Sequence, residues 1–136
     1  MARWALRNGA HDPECHYLGV AVEGGNDVIG HLSLRVQSLE LPGSLALMET
    51  FVNTFAVEPE YRRRGYGRAL QQAAVRLSGD LNCYQMRSWS SLDHPENYTL
   101  KIALGFGVHP AVIETATGET VKGVYFVKTT SQNHGG

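Results

Sequence analysis

Phe55-Ala56-Val57-Glu58-Pro59-Glu60-Tyr61-Arg62-Arg63-Arg64-Gly65-Tyr66-Gly67-Arg68-Ala69-Leu70 carries an apolar strand into a short turn, and the turn opens a helix. Two glycines and four arginines stand at that junction. The first backbone N–H groups of any helix lack partners inside it, and they lie at the positive end of the helix dipole. Gly65 and Gly67 remove side chains that would block an approaching phosphate, while Arg62, Arg63, Arg64 and Arg68 add counter-charge. A strand-to-helix turn of this make-up is an anion site, best suited to a pyrophosphate. The dinucleotide fingerprint Gly-x-Gly-x-x-Gly fails, because Leu70 stands where its third glycine belongs. No Gly-Lys-Ser/Thr follows, which excludes a nucleotide P-loop. Arg64-Gly65-Tyr66-Gly67 opens like an RNA-recognition signature, but Arg68-Ala69-Leu70 breaks it. A basic helix start with solvated arginines is the plainer alternative.

Upstream of this run the pattern has a period of two. Residues 4–7 read as a short first strand, and His11-Asp12-Pro13-Glu14 as a turn. Residues 16–23 are extended, with Tyr17, Val20 and Val22 favouring a strand. Gly24-Gly25-Asn26-Asp27 marks a hairpin. In 28–39, Leu32, Leu34 and Val36 alternate with Ser33 and Arg35. After the turn Leu41-Pro42-Gly43-Ser44, residues 45–57 complete an antiparallel meander. Downstream the period becomes helical. Residues 61–77 place Ala69, Leu70, Ala73, Ala74 and Leu77 on one stripe, closed by Ser78-Gly79-Asp80. Residues 81–90 read as a strand. A second helix is expected at 95–104, with Asp93 as N-cap and Glu96 three residues on. Pro95 and Gly105 fit its two ends. Strands at 108–113 and 121–127 flank the turn Thr117-Gly118-Glu119. The order is four strands, helix, strand, helix, two strands, which makes a mixed α/β sheet with helices packed on it.

At 136 residues the chain suits one domain, 1–130, with 131–136 as a frayed tail. Its 43% apolar and 18% charged residues exclude a disordered chain. No apolar run approaches the roughly 18 residues of a membrane span, and residues 1–9 turn polar too early for a secretory signal. The expected compartment is the cytoplasm, where Cys15 and Cys83 stay reduced. A formal net charge of -1 gives no reason to expect nucleic acid as a partner. No Cys-x-x-Cys pair exists and no metal is expected. A polar turn explains His11, Asp12, Glu14, Cys15 and His16 without one.

The run 55–70 resembles motif A of the GNAT N-acetyltransferase superfamily, written Arg/Gln-x-x-Gly-x-Gly/Ala after a strand ending in Val-x-Pro. Arg62-Arg63-Arg64-Gly65-Tyr66-Gly67 and Val57-Glu58-Pro59 fit that pattern, and Leu104-Gly105-Phe106 resembles the end of motif B. The likeness spans roughly residues 28–128 and implies a GNAT-like acyl-CoA N-acyltransferase fold. It implies acetyl-CoA as cosubstrate, held in a wedge between two parallel strands, 45–57 and 81–90, that splay apart. By the same resemblance the pantetheine arm pairs with backbone at Phe55, Ala56 and Val57, with help from Asn97. The pyrophosphate sits on the turn formed by Arg62, Arg63, Arg64, Gly65, Tyr66, Gly67 and Arg68. The terminal strands are then candidates for pairing across a homodimer.

Direct acyl transfer to an amine needs a proton acceptor, a donor to the developing oxyanion, and an acid or cation for the leaving thiolate. Some family members carry a carboxylate base on the strand 45–57. Alignment puts Phe51 at that place, and Glu49 lies two residues earlier on the same strand face. Glu49 is the candidate base, with a partly exposed strand residue as the plainer reading. Asn53 shares that face and could orient a water, and His31, Asp93 and His94 are weaker candidates. The tyrosine that family members often place three residues before Leu-Gly-Phe is Lys101 here. Tyr98 supplies a hydroxyl one turn earlier on nearly the same helical face. Lys101 itself offers a cation to the thiolate, or is simply a solvated lysine. The family's first two helices are expected to be shortened or absent, because residues 8–15 leave no room for them. That suits an open acceptor site for the amine of a small molecule, peptide or protein. Two functions stay open: an acetyl-CoA-dependent N-acetyltransferase, and a protein of the same fold that binds acyl-CoA as a sensor or interaction module.

Overall fold

The computed structural model describes residues 2–8, 15–22, 28–43, 46–93 and 95–130, with backbone alone for 2–8 and 22. The expected hairpin at 24–27, the turn residues His11, Asp12 and Glu14, Ser44, His94 and the tail 131–136 lie outside the described residues. Among the described residues, seven strands form one sheet. They are β1 (Ala2–Asn8), β2 (Cys15–Val22), β3 (Val28–Ser38), β4 (Met48–Val57), β5 (Gln85–Ser91), β6 (Gly107–Glu114) and β7 (Thr120–Thr129). The spatial order is β1-β2-β3-β4-β5-β7-β6. Each neighbouring pair is antiparallel except β4 and β5, which are parallel. A parallel pair needs a crossover, and helix α1 (Tyr66–Asp80) supplies it. Helix α2 (Pro95–Ala103) follows β5. Asn8 pairs directly with His16, so the β1–β2 connection is too short to hold two helices. Among the described residues, no helix is long and apolar enough to cross a membrane.

The helical run starts and stops later than its periodicity suggests. Pro59–Tyr61 forms a single 3-10 turn, and the chain then leaves helical geometry before α1 begins. Arg63 and Gly65 take positive φ, 63° and 86°, and that reversal separates the two helical pieces. At the other end Ser78-Gly79-Asp80 stays helical. The reversal falls on Asn82 (φ 61°). Cys83 N–H bonds the Ser78 carbonyl and Asn82 N–H bonds the Gly79 carbonyl, the paired bonds of a Schellman end. Helix α2 ends the same way: Phe106 N–H bonds the Lys101 carbonyl, and Gly105 N–H, at φ 86°, bonds the Ile102 carbonyl. Leu-Gly-Phe is therefore a helix stop that turns Phe106 into the core.

Both helices cover the same sheet face. Leu70 and Ala74 of α1 pack with Leu18, Val20, Leu32 and Leu34, and Phe106, just beyond α2, joins Met86, Val124 and Phe126 in the same core. Ser78, expected as part of a stop signal, is instead fully buried. Its hydroxyl bonds the Ala74 carbonyl and meets Thr50 Oγ1 at 2.6 Å, tying α1 to β4. Edge strand β6 carries Pro110, which an edge tolerates because one side of its backbone pairs with nothing.

Candidate active site

β4 and β5 pair only at Glu49–Gln85, Thr50–Met86 and Phe51–Arg87. Beyond that the strands part. β4 stays with β3, and β5 stays with β7. The β3–β4 register shifts between Ser33 and Leu34, which leaves Asn53 as the extra residue of a bulge. A bulge bends its strand, and this one lies where the wedge opens. Glu58 N–H bonds the Ile29 carbonyl on the β3 side. Backbone groups alternate along a strand, so those of Phe55 and Val57 turn toward the opened side. The Val57 carbonyl accepts a bond from Arg62 Nε at 3.0 Å. Ala56, the third strand residue expected to hold the arm, is exposed.

At the mouth of the wedge the α1 N-terminus presents its amides. The Ala69 N–H to Gly65 carbonyl bond is the helix's first turn, so the amides of Gly65, Tyr66, Gly67 and Arg68 lie ahead of it. No side chain caps them, and no acidic residue sits in the first turn. Arg62, Arg63, Arg64 and Arg68 are all exposed around this point, and Arg64 lies over the Tyr61 ring at 5.3 Å. Tyr66 meets Tyr61 edge-on. The two glycines play different parts. A Cβ on Gly65 would meet nothing within 4 Å, so open space lies above it. A Cβ on Gly67 would lie 3.3 Å from Phe55 Cζ and 3.9 Å from Leu100 Cδ2. Gly67 therefore brings the helix against β4, rather than clearing room for a phosphate.

A cavity of about 130 Å³ lies under the wedge, lined by Asn53 and Phe55 of β4, Gln71 of α1, Ser88 of β5, and Asn97 and Lys101 of α2. Lys101 is 3% exposed. Its Nζ donates to Ser88 Oγ at 3.0 Å and sits 4.7 Å from the Phe106 ring and 5.7 Å from the Phe126 ring. Among the described residues, no carboxylate lines the cavity. Burial alone pushes the Lys101 pKa down to about 8. The solvated lysine of the plainer reading is thus a desolvated ammonium. Gln71 is fully buried, and neither of its polar side-chain atoms has a hydrogen-bond partner. Tyr98 does not line the cavity. Its ring packs edge-on against Phe126, and its hydroxyl donates to the Ser91 carbonyl at 3.2 Å.

Glu49 lies at the closed end of the wedge, on the face away from the helices. It is fully buried. Its Oε1 accepts from Gln85 Nε2 (2.9 Å) and Arg87 Nε (3.1 Å), and its Oε2 from Gln37 Nε2 (2.7 Å) and Arg87 Nη2 (2.7 Å). Burial pushes its carboxyl up, but the bonds from Arg87, Gln85 and Gln37 and the Arg87 charge outweigh that and hold it below the usual carboxylate range. A carboxylate accepting four bonds has no lone pair to spare for an amine. The geometry corrects the expectation of a base here: Glu49 clamps β3, β4 and β5 together. Gln37, Gln85 and Arg87 were invisible as partners in the sequence, because they come from β3 and β5, stretches of chain separate from the strand of Glu49. Of the weaker candidates, Asn53 reaches the cavity, whereas His31 is exposed on β3 and Asp93 is exposed ahead of α2.

A profile of the acetyltransferase (GNAT) family matches residues 2–106 of the chain. Similar solved structures include Arabidopsis thaliana NAA60 in complex with acetyl-CoA, at 15% identity and a TM-score of 0.70, covering 85% of this chain and 76% of that one. An alanine N-acetyltransferase of a ribosomal protein from Escherichia coli matches at 16% identity and TM-score 0.67, over 90% and 73% of the two chains. The spermidine/spermine N-acetyltransferase SpeG from Vibrio cholerae matches at 16% and 0.66, over 88% and 67%. No curated protein matches the chain in sequence.

Proposed function

The chain belongs to the GNAT acetyltransferase family, and from that premise we propose that it transfers an acetyl group from acetyl-CoA directly to an amine. One observation carries this reading. Among the described residues one strand pair is parallel; it opens after three residues, and the opening leads to uncapped helix amides ringed by four arginines. Those amides and guanidinium groups suit a pyrophosphate. The backbone of Phe55 and Val57 suits the extended arm, and Asn97 lines the space the arm would cross.

The thioester supplies an activated acyl carbon, and the chain's residues position and discharge it. The amine nitrogen forms the new N–C bond, the C–S bond breaks, and the amine's proton leaves to water beside Asn53. Lys101 is the acid at the leaving sulfur. Its ammonium is desolvated, and a pKa near 8 lets it hand over a proton far more readily than an exposed lysine. Tyr98, held by Ser91, orients α2 from the back. Glu49 keeps the wedge closed at its base, so that the strands part at one fixed point.

Acetyl-CoA is expected to raise the melting temperature, since a ligand of the native state stabilises it by mass action. Gly65→Glu, which puts a carboxylate into the open space above the turn, should abolish the shift, and Arg62→Ala should reduce it. An unchanged shift in both variants would remove the cofactor assignment. Thiol release against a panel of amines and peptides then measures turnover.

A second reading is favoured by Glu49 itself. Its carboxylate is fully committed and lies outside the cavity, and among the described residues no carboxylate lines it. A protein that binds acyl-CoA without turning it over, as a sensor or interaction module, fits that arrangement. Tight binding with no thiol release from any acceptor would select it.

A further inference from the structure

We propose that Gln71 is a ligand for an amide group of the donor's pantetheine arm; this rests on the cofactor assignment above and adds to it a side chain outside both motifs. Gln71 is fully buried with Oε1 and Nε2 both unpartnered. Such a group is destabilising in the unliganded protein, and nearly all buried polar atoms in folded proteins avoid that state. Its helix neighbours on the buried side, Leu70 and Ala74, are apolar. An apolar residue would therefore fill this place at no loss to the fold. Gln71 is among the residues that line the cavity under the wedge.

The demand is two-sided. Oε1 needs a donor, and Nε2 needs an acceptor. A phosphate or a thioester carbonyl only accepts, whereas an amide does both. The neighbouring Lys101 ammonium only donates. Position agrees with chemistry. Gln71 lies four residues beyond Gly67, about 6 Å along the helix axis from the phosphate turn. That is the stretch between the pyrophosphate end of the donor and its sulfur, where the arm carries its amides. A peptide acceptor also presents amides, and the experiment separates the two.

The test uses Gln71→Met, which keeps length and removes both polar atoms, with Gln71→Leu as a second variant should the first fail to fold. Affinities are measured by calorimetry for CoA, for adenosine 3′-phosphate 5′-diphosphate, which keeps the phosphates and lacks the arm, and for any peptide acceptor found. CoA binding should weaken about tenfold, as expected for losing a pair of neutral hydrogen bonds. The arm-less nucleotide should bind unchanged, and the unliganded variant should melt no lower than wild type. Unchanged CoA affinity, equal weakening of both nucleotides, or a loss confined to the peptide would each overturn the assignment. If the wild-type protein binds neither nucleotide, the cofactor reading itself fails, and this one with it.

Discussion

Two polar clusters flank the opening of the sheet, and they differ in how completely they are satisfied. At the closed end Glu49 accepts four hydrogen bonds from side chains of two neighbouring strands, with Arg87 also stacked between the Phe51 and Tyr125 rings at 5.2 and 4.8 Å. Under the wedge, Lys101 has one hydroxyl and two aromatic faces, and Gln71 has nothing. The first cluster is complete without a ligand and behaves as architecture. The second is incomplete, carries a charge with no carboxylate among the described residues lining its cavity, and adjoins a void of about 130 Å³. Buried polarity that is paid off internally holds a fold together; buried polarity left open is where a ligand is to be sought.

The comparison breaks most sharply on stability. Arg87→Met leaves Glu49 buried without its cation and should cost about 3 kcal/mol in denaturant unfolding at neutral pH. Glu49's folded pKa is depressed, so its contribution is present above the unfolded carboxylate value and is lost as pH falls through the folded one. The deficit of the variant should therefore narrow in acid. A deficit that is the same at pH 7 and pH 3 would show that Arg87 acts through packing alone.

Lys101→Met should do the reverse. It removes a buried ammonium that no carboxylate among the described cavity-lining residues offsets, so stability at neutral pH should hold or rise while thiol release falls. The folded pKa of about 8 lies below the ordinary lysine value. The unfolded chain thus binds the extra proton between about pH 8 and the unfolded value of about 10.4, and wild-type stability rises with pH across that window. The gain is on the order of 3 kcal/mol for a shift of this size, and the variant should lack it. Ser88, Gln71, Asn97, Phe106 and Phe126, which surround the amine, carry no ionisable group in that range, so the wild-type-minus-variant curve isolates Lys101. A flat difference curve would contradict a desolvated ammonium.

Ser88→Ala should have the smallest effect. It removes the one hydrogen bond to Nζ at about 1 kcal/mol. The pH window should move further down, since Lys101 would then lose the group that favours its charged form.

Much of this was legible along the chain. Local rules found the meander, the crossover and the strand-to-helix turn, because alternation, helical stripe and glycine placement are properties of neighbouring residues. They misplaced the helix ends. Both Gly79 and Asn82 could stop α1, and the choice fell to Asn82 because Ser78 is needed inside the helix to reach Thr50. They also gave Gly65 and Gly67 one role, although only packing against Phe55 and Leu100 separates them. Lys101 stood out in sequence as a departure from the tyrosine pattern, but nothing near it in the chain said that it would be desolvated.

The amino-acid order alone settled that a strand runs into a basic, glycine-bearing helix start, since unpaired amides, dipole and charge all come from residues within one turn of each other. Tertiary structure alone decided which polar side chains are satisfied. Gln37, Gln85 and Arg87 reach Glu49 from two other strands, and Gln71 and Lys101 meet under the wedge from different helices. Burial and hydrogen-bond partnership are set by distances across the sheet, and no spacing along the chain encodes those distances.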